Sequence, residues 1–122
     1  MITSDERYLL HRYIVADLMH RTLMKDWQYI EPMKMAEVFS LWFEQQTITL
    51  RRECKLLKSQ LQAKGLKILR LTVLDEYFCI YTIATRGEDM DLQYAINALK
   101  SEVQDEVQKR LFALNTPMQR KE

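Results

Sequence analysis

The first stretch of the chain repeats apolar residues at alternating spacings of four and three, which is typical of a helix with one buried face. Thr3–Ser4 supplies hydroxyls for a helix N-cap, and Asp5–Glu6 places acids in the first turn. Helix 1 is predicted to end near Ile30–Glu31, because Pro32 disfavours helical geometry in the residue before it. Its apolar stripe comprises Leu9, Tyr13, Ala16, His20, Leu23, Trp27 and Ile30.

The same periodicity resumes at Pro32 and predicts a second helix that runs to about Lys64, where Gly65 suits a C-terminal stop. Its weakest point is Thr47–Thr49, because β-branched residues crowd the preceding turn; a continuous helix and a break there are both compatible with the sequence. We expect helices 1 and 2 to form a long antiparallel pair. The stripe of helix 2 comprises Phe39, Phe43, Gln46, Leu50, Cys54, Leu57 and Leu61.

The composition changes after Gly65. Leu66–Val73 and Tyr77–Ala84 are rich in β-branched, aromatic and aliphatic residues and flank a short turn at Leu74–Glu76. This pattern predicts a β-hairpin. Two strands alone are marginal, so the hairpin must pack against the helices or pair with another chain.

A loop at Arg86–Asp89 precedes a third helical stripe, which predicts a helix over Met90–Leu114. Asn115–Glu122, with Pro117, is predicted to be a flexible tail. The fold class is therefore α+β and mostly α, in the order α-α-β-β-α, with a single domain over residues 1–114.

Composition narrows the setting of the protein. With 122 residues, 48% apolar residues and 29% charged residues, the chain is typical of one globular domain. No apolar run is long enough to span a bilayer, and Met1–Arg12 lacks the pattern of a signal peptide. Cys54 and Cys79 lie far apart in apolar settings, so we interpret both as reduced thiols. These features predict a cytoplasmic protein without membrane contact.

Catalytic and cofactor-binding patterns are missing from the sequence. There is no Gly-rich phosphate loop and no nucleophile elbow. His20 lies within the apolar stripe of helix 1, and the other histidine, His11, is on a different part of that helix surface. A zinc site needs three or four ligands, so we interpret His20 as a hydrogen-bonded core or interface residue. We predict a non-enzymatic protein with no metal and no cofactor.

Positive charge is concentrated in one segment, although the net charge of the chain is only +1. Arg51–Arg70 holds seven basic residues and a single acid, Glu53. Arg51, Lys55 and Lys58 lie at spacings i, i+4 and i+7, so they share one face of helix 2. The candidate partner-binding residues are Arg51, Arg52, Lys55, Lys58, Lys64, Lys67 and Arg70.

The sequence leaves three interpretations of this basic segment open. Residues 88–106 hold six acids and one base, so the two segments could pair within the molecule if helix 3 lies against helix 2. Alternatively, the bases could bind an acidic protein surface or a nucleic acid. The nearly neutral chain and the lack of a helix-turn-helix pattern weigh against nucleic acid.

Helix 2 also carries apolar residues outside its stripe, namely Val38, Leu41, Ile48 and Leu56. A helix that is apolar on more than one face is usually covered by neighbours or by another subunit. This pattern predicts a homodimer.

Three segments, Gln62–Ile68, Glu76–Gly87 and Leu99–Leu111, resemble a group of uncharacterised small proteins from Bacillus and its phages. The likeness covers about residues 5–114 and rests on the order of two helices, a hairpin and a closing helix. It implies a cytosolic Gram-positive or phage origin, and it supplies no activity, cofactor or site residue. We therefore predict an interaction or regulatory protein that acts through its helical surface, with nucleic-acid regulation by the basic segment as the alternative.

Overall fold

A computed structural model describes residues 2–29 and 35–113 and confirms an α+β, mostly helical fold. The predicted tail, Asn115–Glu122, lies outside the described residues. The three strands form one antiparallel sheet in which they lie in chain order. The elements are α1 (Ser4–Trp27), α2 (Ala36–Ala63), β1 (Lys67–Val73), β2 (Phe78–Ala84), β3 (Met90–Ala95) and α3 (Ile96–Ala113).

The N-terminus of α1 is held by a reciprocal capping box. The Thr3 hydroxyl accepts a hydrogen bond from the Glu6 backbone N–H at 3.1 Å, and the Thr3 backbone N–H donates to the Glu6 carboxylate at 2.9 Å. The predicted N-cap is therefore confirmed. The helix ends at Trp27, earlier than the predicted Ile30–Glu31, which lies outside the described residues.

The second helix is continuous through Thr47–Thr49. Thr47 is buried, and its hydroxyl donates to the Glu44 carbonyl at 3.0 Å, which satisfies the polar group within the helix. The described helix starts at Ala36, and the predicted start at Pro32 falls outside the described residues. At the other end Gly65 adopts φ 74°, which confirms its predicted role as the helix stop.

The predicted hairpin is confirmed as β1 and β2. Its turn is fixed by the Asp75 carboxylate, which accepts hydrogen bonds from the backbone N–H groups of Tyr77 and Phe78 at 2.8 and 2.9 Å. The pairing register shifts between Ile68 and Arg70, so Leu69 forms a β-bulge in β1.

The prediction of a helix from Met90 is wrong, because residues 90–95 form the third strand. Met90, Leu92 and Tyr94 alternate with polar residues, and this period of two places Leu92 in the core while Asp91 is exposed. Leu92 also fits the helical stripe of α3, so its spacing alone did not separate strand from helix. The helix begins only at Ile96, whose backbone N–H donates to the Tyr77 carbonyl at 2.8 Å.

The first helix is the central element of the core. Its N-terminal half packs Leu10 and Ile14 against the sheet, against the end of α2 at Leu61 and against α3 at Leu99. Its C-terminal half packs Val15, Met19 and Leu23 between α2 and α3, against Leu50 and Val103. Trp27 lies near the start of α2, and Leu10 lies near its end, so the predicted antiparallel pairing of α1 and α2 is confirmed.

Candidate functional site

All seven candidate basic residues are exposed, and within the described part of the chain none of them forms an ion pair. The single acid of the segment, Glu53, instead accepts hydrogen bonds from Arg12 of α1 at 3.1 Å and Arg110 of α3 at 3.0 Å. Arg51 and Lys55 are each two positions from Glu53. Because successive helical residues rotate by about 100°, both point away from the flank of α2 that faces α3.

Three of the six acids in residues 88–106 have other partners. Glu102 is 2.7 Å from His11 Nε2, and Glu106 is 3.6 Å from Lys109 of its own helix. Asp91 accepts a hydrogen bond from the Thr82 hydroxyl at 2.8 Å. For residues 2–29 and 35–113, the hypothesis that the basic segment pairs with residues 88–106 is wrong, because no ion pair joins the two segments and Arg51 and Lys55 point away from the flank of α2 that faces α3.

Three of the candidates, Lys58, Lys67 and Arg70, line one cavity of about 420 Å³ between α1, α2 and β1. We call this cavity the cationic cleft. Arg21 of α1 adds a fourth cation, and the one carboxylate in the lining, Asp17, accepts a hydrogen bond from Arg21 Nε at 2.9 Å. The remaining candidates do not line the cleft: Arg51, Arg52, Lys55 and Lys64.

The end of α2 explains how the cleft is formed. The Leu66 backbone N–H donates to the Leu61 carbonyl at 2.9 Å, and the Gly65 N–H donates to the Gln62 carbonyl at 3.0 Å. These two bonds form a Schellman motif, which reverses the chain directly after the helix. Leu61 and Leu66 are both buried, so the turn is anchored in the core and β1 starts beside the last turns of α2. Bases on both elements therefore face the same cavity.

An apolar groove of about 740 Å³ adjoins the cationic cleft. It lies between α1, α3 and the helix-facing side of the sheet, and Leu71 and Val73 of β1 are 48% and 64% exposed along it. The cleft and the groove share Leu18, Leu71 and Tyr81. A bound segment could therefore contact cations at one end and aliphatic side chains at the other.

The two cysteines and Tyr81 are poor nucleophiles at neutral pH. Burial raises the pKa of Cys54 to about 11, with a further contribution from the carboxylates of Asp17 and Glu53. Burial likewise raises the pKa of Cys79 and raises the pKa of Tyr81 to about 12. Both cysteines are free thiols, and they stay protonated under these conditions.

Among residues 2–29 and 35–113, no group of three or more His, Cys, Asp or Glu side chains is arranged to hold a metal ion. His20 is half-buried, and its Nε2 has no hydrogen-bond partner in the described residues, which differs from the predicted hydrogen-bonded histidine. In the same residues, no helix combines the length and the apolar character needed to cross a lipid bilayer.

Sequence reasoning missed Arg21 and His11. Arg21 lies four residues after Asp17, and this spacing indicates an ion pair on an exposed helix flank, but nothing in it locates β1 opposite. His11 bridges Glu102 and the Tyr94 hydroxyl, which are contributed by two elements distant in sequence. Neither the position of Arg21 opposite β1 nor the contacts of His11 leave a local pattern.

The chain matches a family model described as YhjD protein over residues 1–115. The chain belongs to the YhjD family. The matched range includes all six elements and every residue that lines the cationic cleft and the groove. No curated protein and no solved structure matches the chain.

Proposed function

We propose that this protein is a non-enzymatic interaction protein that binds an acidic, partly apolar segment of a partner protein. The observation that carries the proposal is the junction of the cationic cleft with the apolar groove at Leu18, Leu71 and Tyr81. Acidic residues of the segment would face the cleft, and its apolar residues would fill the groove.

The electrostatics favour an anionic ligand. Four cations and a single carboxylate line the cleft, and Lys58, Lys67 and Arg70 have no ionic partner among the described residues. A cleft with charge of one sign raises the local concentration of oppositely charged ligands and accelerates their association. The same charge disfavours basic partners.

The groove favours a protein over a nucleic acid. Its lining is mostly aliphatic, and the two aromatic rings in the adjoining cleft, Tyr13 and Tyr81, are half-buried and buried. Single-stranded nucleic acids usually stack their bases on accessible aromatic rings, which this surface does not offer in its described residues. An apolar groove suits the side chains of a peptide.

The proposal includes a cytoplasmic homodimer. Two free thiols in apolar surroundings support a reducing compartment. On α2, Val38, Leu41 and Leu56 are 55%, 65% and 59% exposed, and large apolar residues exposed on one helix support a subunit contact there.

The test is capture of partners from the native host by the protein and by a Lys67→Glu/Arg70→Glu variant, with binding of the captured segments measured as synthetic peptides. We expect the variant to lose at least about tenfold in affinity, because it inverts two of the four cleft cations. Arg7→Glu/Lys25→Glu makes the same charge change on exposed positions of α1 away from the cleft and should bind normally.

Equal peptide binding by the two double variants would contradict the proposal. A duplex or single-stranded oligonucleotide serves as the competing probe. If the oligonucleotide binds more tightly than any captured peptide and its affinity falls steeply with salt, the nucleic-acid alternative is correct instead.

A further inference from the structure

The outward face of α2, opposite its buried residues Leu50 and Leu57, carries a mixed stripe of apolar and basic residues. Val38, Leu41 and Ile48 are 55%, 65% and 40% exposed on this face. Their spacings of three and seven are those of the core positions of a coiled coil. No described element of the chain covers them, so the stripe is open to a partner.

Charges along one edge of this stripe follow a regular order. Glu37, Glu44, Arg51 and Lys58 are seven residues apart, so they lie in one row along the helix. The row reads acid, acid, base, base. All four side chains are exposed, and none forms an ion pair in the described part of the chain.

We propose that a second copy of this chain docks on the outward face of α2 with its own α2 antiparallel. In that arrangement Glu44 pairs with Arg51 of the second copy, and Glu37 pairs with Lys58 of the second copy. Both pairs are centred on the same point, midway between Thr47 and Ile48. A single two-fold axis therefore satisfies all four charges of both copies, which is the self-complementarity that a symmetric dimer requires.

The apolar positions fit the same axis. In an antiparallel coiled coil with these pairs at its edge, Leu41 lies beside Arg52 of the second copy, and Val38 lies beside Lys55 of the second copy. The aliphatic stems of Arg52 and Lys55 would cover the exposed apolar side chains while their charged groups reach water. A parallel dimer would instead bring each charge to the height of the same charge in the second copy.

This inference rests on the homodimer part of the proposed function and does not depend on the acidic partner. Glu44 and Arg51 do not line the cationic cleft, so variants at these two positions test the dimer without altering the cleft lining. Lys58 belongs to both surfaces and is left unchanged.

The experiment measures molecular mass by sedimentation over a range of concentrations for the full chain and for Glu44→Arg, Arg51→Glu and the double variant. We expect each single variant to weaken the dimer by at least about tenfold, because it places like charges together at two symmetric positions. The double variant should restore the dimer, since it exchanges the two signs. A mixture of the two single variants should form a heterodimer, because the two arginines of one chain then face the two glutamates of the other.

Matched controls are Glu88→Arg and Lys25→Glu, which make the same charge changes at exposed positions off this face and should leave the dimer unchanged. Circular dichroism confirms that each variant is folded.

A wild-type chain that stays monomeric at every concentration would overturn both the homodimer and this interface. If the wild type dimerises and the variants do so equally, the interface is wrong while the homodimer stands. If the single variants weaken the dimer and neither the double variant nor the mixture restores it, the antiparallel pairing is wrong.

Discussion

The flank of α2 that faces α3 and the flank that faces the cationic cleft differ in how they use charge. On the first, Glu53 binds Arg12 and Arg110, and the side chains of Glu53 and Arg110 are only 25% and 22% exposed. On the second, Lys58 is exposed and, like Lys67 and Arg70 of β1, has no ionic partner in the described residues. The partly buried carboxylate of Glu53 is thus paired within the fold, whereas these three bases of the cleft are not paired with any described residue.

The largest expected effect on stability is at the flank of α2 where Glu53 pairs with Arg12 and Arg110. Glu53→Ala removes both ion pairs and leaves the Arg110 guanidinium half-buried without its carboxylate, so we expect a loss of about 2–3 kcal/mol in the free energy of unfolding. Urea unfolding followed by circular dichroism measures it. Glu88→Ala is the matched control, since its side chain is exposed and lies off the proposed dimer face. A Glu53→Ala variant as stable as this control would show that the paired flank does not stabilise the fold.

Gly65→Ala alters the turn that brings both sides of the cleft together. A side chain at φ 74° is strained, and the added Cβ would lie 2.5 Å from Arg86 Cγ, so we expect a loss of about 1–2 kcal/mol. Thermal unfolding measures the change. Gly87→Ala should be tolerated, because its nearest neighbour, the Thr85 hydroxyl, is 4.0 Å from the added Cβ. Equal stability of the two variants would refute the proposed role of Gly65.

Lowering the pH should reduce the free energy of unfolding through protonation of Glu6. The Thr3 backbone N–H lowers the pKa of this carboxyl below its ordinary 4.5, with the Arg86 guanidinium acting in the same direction and burial opposing both. A lowered folded-state pKa means that the contribution is present above the unfolded-state pKa and is lost as the pH falls through the folded-state value. The unfolding free energy of the wild type should therefore fall as the pH drops below about 4.5, and that of Glu6→Gln should fall less. Urea unfolding at several pH values measures both. Glu88→Gln, at an exposed loop position, controls for the removal of a carboxylate.

The smallest effect on stability is expected for the unpaired bases of the cationic cleft. Lys67→Ala and Arg70→Ala should change the unfolding free energy by no more than about 0.5 kcal/mol, because exposed side chains without partners contribute little. Lys67→Ala should still weaken binding of a captured acidic peptide. A large loss of stability in either variant would mean that these bases serve the fold, and the contrast between the flanks would disappear.

Much of the fold could be predicted from local pattern. The capping hydroxyl of Thr3, the stop at Gly65 and the hairpin each depend on residues close in sequence. The third strand was missed because Leu92 fits both a period of two and the stripe of α3, and the choice is made by pairing with β2. Such pairing is a long-range contact that a single segment does not reveal.

The candidate site was predictable only in part. The charge density of Arg51–Arg70 indicated the surface, and three of its seven bases meet in the cleft. The contribution of Arg21 and the position of the groove depend on how α1 lies against β1, which the spacing of residues along the chain does not encode. The same limit applied to the pairing of residues 88–106 with the basic segment, which the sequence left open because it depends on which flank of α2 faces α3.

The bulge at Leu69 has a consequence for solubility. β1 is an edge strand with exposed aliphatic side chains, and such edges readily add strands from other molecules and grow into fibrils. The extra residue interrupts the regular hydrogen-bond ladder, and Lys67 and Arg70 place a positive charge on either side of it. In copies paired edge to edge along β1, these positive charges would repel each other. We therefore expect the irregular strand to resist edge-to-edge pairing although its aliphatic side chains are exposed.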